Sequence, residues 1–225
     1  MKRFPSAVIG LIASLIAMAG AAAAAGQAPV AVVEDVQGKV TGAEFMDYVV
    51  PGQVIKLGAG GKITLGYMKS CWHEVIFGIG TVIVGTEQSA VHLAAFKADH
   101  VPCDASQAAR IGKETGESAA TVVRSLRDDG PPPLVLHGLT PMVGITERGK
   151  LVIERVDVKG ERYEVDLTSA PLVHGKFYDL ARSNIALKAG GTYAMTLKSR
   201  RVAFVIDTHA TPGAGPVISR LVTLR

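Results

Sequence analysis

Gly58-Ala59-Gly60-Gly61-Lys62-Ile63-Thr64-Leu65-Gly66-Tyr67 is the stretch on which the fold reading turns. Ile63, Leu65 and Tyr67 alternate with Lys62, Thr64 and Gly66, the period of two of a half-buried strand. Four small residues precede it, and Gln53-Val54-Ile55-Lys56-Leu57 stands before them. Two apolar-rich segments around a Gly-rich loop read as a hairpin. The theme continues outward in both directions. Upstream lie Val30-Ala31-Val32-Val33, Gly38-Lys39-Val40-Thr41-Gly42 and the turn signal Pro51-Gly52. Downstream, Trp72 to Phe77 and Thr81 to Val84 flank Gly78-Ile79-Gly80, and Ser89 to Phe96 offers one more strand. The composition agrees, with 25 glycines, few aromatics and short Val/Ile runs. β-Branched residues suit pleated surfaces and Gly supplies positive φ in turns.

The pattern changes at residue 105. Ser, Gln, Lys, Glu and Gly dominate up to Asp128-Asp129-Gly130-Pro131-Pro132-Pro133. Consecutive prolines favour an extended spacer, so residues 105–133 read as a linker, with a helical turn or two at 121–127. Beyond it, strand candidates recur at Leu134–His137, Lys150–Val156, Arg162–Leu167, Lys176–Leu180, Tyr193–Leu197, Arg201–Ile206 and Val217–Leu224. Seven short strands in about 90 residues are the size of an immunoglobulin-like or fibronectin-like sandwich. The expected class is all-β: a β-rich domain over 26–104, a Pro-rich linker and a β-sandwich over 134–225.

Residues 1–25 read as a cleavable export signal. Met1-Lys2-Arg3 is basic, Ala7 to Met18 is apolar, and Ala23-Ala24-Ala25 fits the small-residue cleavage pattern. The apolar run is shorter than the ~20 residues that span a bilayer, and no later segment approaches a span. The expectation is a bacterial periplasmic or secreted protein with no transmembrane segment after cleavage. Loss of Lys2 and Arg3 lowers the formal charge from +4 to +2. No Lys/Arg cluster is dense enough for nucleic acid.

The segments Val33-Glu34-Asp35-Val36-Gln37-Gly38-Lys39-Val40, Val49-Val50-Pro51-Gly52-Gln53-Val54-Ile55 and Gly58 to Leu65 resemble the periplasmic FecR-like domain family. That family shows a G-x-V strand, a G-x-x-I strand and an alternating strand after a small-residue turn. The resemblance covers Val33 to Ala95 and implies a β-rich envelope module without catalytic residues. Where the family continues with a polar D-G-S turn, this chain has Met68-Lys69-Ser70-Cys71-Trp72-His73.

Cys71 and Cys103 are the two cysteines of the chain. An even count in an oxidising compartment favours a disulfide between them. The alternative is a metal site, because Cys71, His73, His100 and Cys103 would provide a tetrahedral S2N2 set for zinc, with His92 as an extra ligand. Cys71 and His73 would share one face if both lay on a strand. Two free thiols are the third reading. Trp72 points away from both and reads as packing.

No nucleophile elbow or S-x-x-K element occurs. Asp207-Thr208-His209, after a strand and before the Gly/Pro loop at 210–216, is the best position for a hydrolase pair; His137 and His174 are scattered elsewhere. The Gly58–Gly61 loop lacks the Lys-Ser/Thr of a phosphate loop. Lys198-Ser199-Arg200-Arg201 reads as a solvated basic hairpin tip, and Asp157-Val158-Lys159 and Glu161-Arg162 as ordinary surface charge. The expectation is a non-enzymatic envelope protein acting in binding, scaffolding or assembly, with no cofactor, and with an envelope protein or glycan as partner. The alternatives are a periplasmic metal-binding protein and a hydrolase built on the second block.

Overall fold

The structure, a computed structural model, describes residues 27–112 and 133–224. The export signal, residues 113–132 of the expected linker and the helical turn at 121–127 lie outside the described residues.

The first block holds nine strands: β1 (Ala31–Gln37), β2 (Val40–Thr41), β3 (Tyr48–Val49), β4 (Val54–Leu57), β5 (Lys62–Tyr67), β6 (Trp72–Phe77), β7 (Gly80–Ile83), β8 (Ala90–His92) and β9 (Ala95–His100). One sheet has the order β3-β1-β5-β6-β9 and the other β2-β4-β7-β8. The second order repeats the first, because β1 runs into β2, β4 into β5, β6 into β7 and β8 into β9. The block is therefore a four-stranded antiparallel meander bent across a single line, with β3 added at one edge. The two halves enclose a core that includes Ile55, Ile63, Leu65, Tyr67, Ile76 and Val82.

Glycine makes the bend. Gly38 has φ +64°, and a Cβ there would lie 2.1 Å from the Gly60 carbonyl oxygen. The Gly58 N–H donates to Lys39 O at 2.7 Å, and the Gly78 N–H donates to Gly61 O at 2.9 Å. Three corners thus stack on one another where strands step between sheets. This corrects the hairpin expected around Gly58–Gly61. β4 pairs with β2 and β7, whereas β5 pairs with β1 and β6. The Gly78–Gly80 loop is likewise a corner between β6 and β7. Local periodicity is the same for a reversal and a corner, so the residues alone do not separate the two. The reversals lie at 42–53, joining β2 to β4 and carrying β3, at 68–71, joining β5 to β6, and at 84–89, joining β7 to β8.

In the second block, β10 (Leu134–Gly138), β16 (Arg200–Thr211), β15 (Thr192–Leu197), β12 (Lys150–Arg155) and β13 (Arg162–Asp166) form a five-stranded sheet in that order. A three-stranded sheet has the order β14 (Phe177–Asp179), β11 (Met142–Ile145) and β17 (Leu221–Leu224). Leu136, Val143, Leu151, Tyr193, Phe204 and Val222 belong to the core shared by these strands. The all-β, sandwich-like class is as expected, with three local differences. β11 follows Pro141 and contains Gly144, so its short apolar run escaped the strand pattern. Val217–Ser219 is a 3-10 turn rather than the start of a strand. β16 continues to Thr211 and pairs in parallel with β10. Arg220 is buried among these elements, where its guanidinium meets Asp179 at 2.7 and 3.2 Å and donates to Thr140 O and Gly215 O.

A third core lies between the blocks. Val32, Met46 and Met68 from the first meet Met142, Phe177 and Leu221 from the second. Helix α1 (Gln107–Gly112) seals it with Ile111, which is 4% exposed. Residues 105–112, assigned by composition to the linker, are thus part of this seam. Here β5 departs from its half-buried pattern. Thr64 and Gly66, on its polar face, are buried along with the residues of its apolar face.

Candidate functional site

The seam is built around Glu34. The β1–β5 register skips one residue between Val33 and Asp35, so Glu34 is the bulged residue. A bulge re-aims its side chain, and here the carboxylate points to the second block. Its Oε1 accepts the Ile218 N–H at 2.9 Å, and its Oε2 lies 3.3 Å from His73 Nε2. The side chain is only 5% exposed, so these partners replace the water it gives up. The hydrogen bond to Glu34 raises the His73 pKa above its ordinary value; burial opposes it, and the nearby charges of Glu34 and Asp99 add to the rise. Gly66 on the neighbouring strand provides the space, since a Cβ there would come 2.2 Å from Glu34 Oε1.

The disulfide braces the seam from within the first block. Cys71 and Cys103 are bonded, with Cα atoms 5.6 Å apart. Cys71 sits in the β5–β6 turn with φ +57°, not on the strand. The expected sharing of one strand face with His73 is therefore corrected. The residues around Cys103 dock on the second block. Ser219 Oγ donates to Pro102 O at 2.6 Å, the Gln107 side-chain amide donates to Leu221 O, and the Val135 N–H donates to Asp104 Oδ2 at 2.9 Å. The bond thus holds the seam segment to the turn that buries Met68.

Beside the seam lies an open groove of about 900 Å³. Met46, Asp47 and Tyr48 form one side; Ile145, Thr146, His174, Lys176, Phe177, Arg200 and Thr223 line the rest. The Tyr48 ring stands edge-on to Phe177 with centroids 5.9 Å apart. Lys176 and Arg200 bring positive charge. The Asp47 carboxylate already accepts the Glu44 N–H at 2.7 Å, and Glu44 lies 3.8 Å from His174 Nδ1. Arg200 belongs to the basic hairpin tip, whose Lys198 instead pairs with Glu147 at 2.8 Å.

The alternative zinc set of Cys71, His73, His100 and Cys103 is not assembled. The sulfurs are bonded to each other, His73 faces Glu34, and the His100 ring lies on Trp72 at a centroid distance of 3.8 Å. His92 is on β8, opposite Thr81. Among the described residues no group of three or more His, Cys, Asp or Glu is arranged to hold a metal ion.

Asp207 and His209 lie within β16, in a register break where residues 207–210 stand opposite His137. Asp207 Oδ2 is 3.8 Å from His137 Nδ1, and Asp207 Oδ1 is 3.5 Å from His209 Nδ1. Thr208 Oγ1 meets that same His209 Nδ1 at 3.1 Å. A relay needs the hydroxyl and the carboxylate on opposite ring nitrogens. Here both share one, so these three residues do not form a triad.

Glu161 is more than surface charge. Its Oε1 accepts from Tyr193 OH at 2.7 Å and from Tyr163 OH at 3.2 Å, and its Oε2 lies 3.3 Å from Arg155 Nη1. Arg155 also pairs with Asp157 at 2.8 and 3.0 Å, which lowers the Asp157 pKa to about 2, the Arg155 hydrogen bond being the main cause. This network closes one end of the sandwich. Its sequence signal was the spacing of Arg155, Asp157 and Glu161 around a strand end.

Compared with known proteins, the chain matches no family model, no curated protein and no solved structure.

Proposed function

We propose that the chain is an exported cell-envelope protein, a FecR-like module joined to a β-sandwich, which works by binding and without turnover. The observation that carries the reading is the groove beside the seam. It is formed by both blocks; Glu34, α1 and the hydrogen bonds around Cys103 tether one block to the other, and the disulfide braces that docking segment from within the first block, so the groove exists before any ligand arrives. Preorganisation of this kind lowers the ordering cost of binding. Tyr48 supplies an aromatic side, and Lys176 and Arg200 supply charge for an acidic partner. An acidic envelope glycan fits this pairing of a ring with two cations. Export is supported by the basic, apolar and small-residue parts of residues 1–25 and by the disulfide.

The test is calorimetric titration with acidic oligosaccharides, neutral oligosaccharides and acidic peptides. The acidic glycan is expected to bind, and Lys176→Glu with Arg200→Glu is expected to weaken it at least tenfold, equivalent to about 1.4 kcal/mol. Binding of acidic peptides alone would move the partner to protein. No binding by any of them, or binding indifferent to both substitutions, would overturn the proposal.

A further inference from the structure

Strand β9 ends its sheet, so among the described residues its outer edge has no neighbouring strand in the sheet order. Five of its six residues are exposed, and Phe96 is 54% exposed. Long open edges of this kind are templates for another strand. The sequence of β9 is Ala95-Phe96-Lys97-Ala98-Asp99-His100, and it is complementary to itself. A two-fold axis through Ala98 sets a second β9 antiparallel to the first. Lys97 of one copy then stands opposite Asp99 of the other, twice. Phe96 stands opposite His100, also twice.

The two faces of the strand separate these pairs cleanly. Phe96, Ala98 and His100 share the face of Ile76, Glu74 and Trp72, while Lys97 and Asp99 share the face of Val75 and His73. One face of the joint would carry two aromatic pairs and the other two ion pairs. Cross-strand aromatic and opposite-charge pairs are the unit by which antiparallel edges stabilise each other. A lone lysine on an edge strand normally discourages pairing. Here its counter-charge lies two residues along the same edge, so the arrangement rejects other edges and accepts its own.

We propose that β9 joins a second copy of this chain edge to edge, giving an isologous dimer whose sheet runs continuously through both first blocks. The joint lies in the first block, whereas the groove is lined by β3-side residues and the second block, so the two proposals fail separately.

The experiment is sedimentation equilibrium of the full, disulfide-bonded chain over a range of concentrations. The wild type is expected to show a monomer–dimer equilibrium. Lys97→Asp makes the edge acidic, and Asp99→Lys makes it basic; each alone is expected to weaken dimerisation at least tenfold. Mixing the two variants restores opposite charges across the axis and is expected to recover the dimer. Circular dichroism and the urea midpoint of each variant establish that it is folded. A wild type that stays monomeric overturns the proposal, as does a dimer unaffected by either substitution. Failure of the mixed variants to associate would overturn the Ala98-centred register.

Discussion

Replacing Gly66 by alanine is expected to destabilise the chain, although an ordinary strand would gain from the change. Gly in a strand interior costs about 0.5–1 kcal/mol relative to Ala, and Gly66 does not have a positive φ that would demand glycine. The structure reverses the sign. The added Cβ would stand 2.2 Å from Glu34 Oε1 and 2.6 Å from Ile218 Cγ2. Glu34 must then move away from the Ile218 N–H and His73. Hydrogen bonds to charged groups contribute about 1.5–3 kcal/mol, and overpacking costs about 1–3 kcal/mol. Less the strand-propensity gain, the expected loss is about 2–5 kcal/mol. Urea unfolding of the disulfide-bonded chain measures it as a lower midpoint at unchanged slope. Glu34→Ala removes the group that the new methyl meets first. The double variant should therefore be more stable than additivity requires, with a coupling of at least about 1 kcal/mol. Equal or higher stability of Gly66→Ala would refute the reasoning, and so would strict additivity with Glu34→Ala.

Removing the disulfide by Cys71→Ser with Cys103→Ser is expected to cost about 3–4 kcal/mol, the chain-entropy value for a ring of this length. Hydrogen exchange should quicken most over 101–112, the segment that the bond holds to the seam; an unchanged unfolding midpoint would contradict the tether. His73 makes the seam sensitive to pH. Its pKa is raised in the folded state above the ordinary 6.5, so the stability it contributes is fully present below 6.5 and is lost as pH rises through the raised value. The stability difference between wild type and His73→Gln should shrink across that window, above the carboxylate range. A difference that grows with pH would count against the Glu34 pairing, as would a His73 NMR midpoint below 6.5.

Much of the first block is written in local patterns. The alternation of Ile63, Leu65 and Tyr67 specifies a strand, and the glycines at 38, 58–61 and 78 mark points where the chain turns. Those signals do not say whether the chain doubles back or steps to another sheet. That depends on which strands lie beside β4 and β5, and these come from residues as distant as Ala31 and Ile83. In the second block, β11 carries no strand signature in sequence because Gly144 and Pro141 weaken its pattern, and it gains its place by pairing with β14 and β17. Cys71 and Cys103 were legible as a pair because the chain has two cysteines, whereas their closeness to the histidines in sequence said nothing of where the imidazoles point.

By itself, the sequence determined the all-β class and most of the strands, and it favoured a bond between the two cysteines over the zinc and free-thiol alternatives. Each rests on local periodicity, turn chemistry or simple counting. Tertiary structure alone decided how the blocks meet. A polar-looking strand face became buried, a glutamate at a bulge became the cross-link between blocks, and a presumed spacer contributed a helix to their shared core. The physical reason is that burial of a strand's second face depends on what is packed against it. Residues more than a hundred positions away, such as Ile218 against Glu34, supply that cover here.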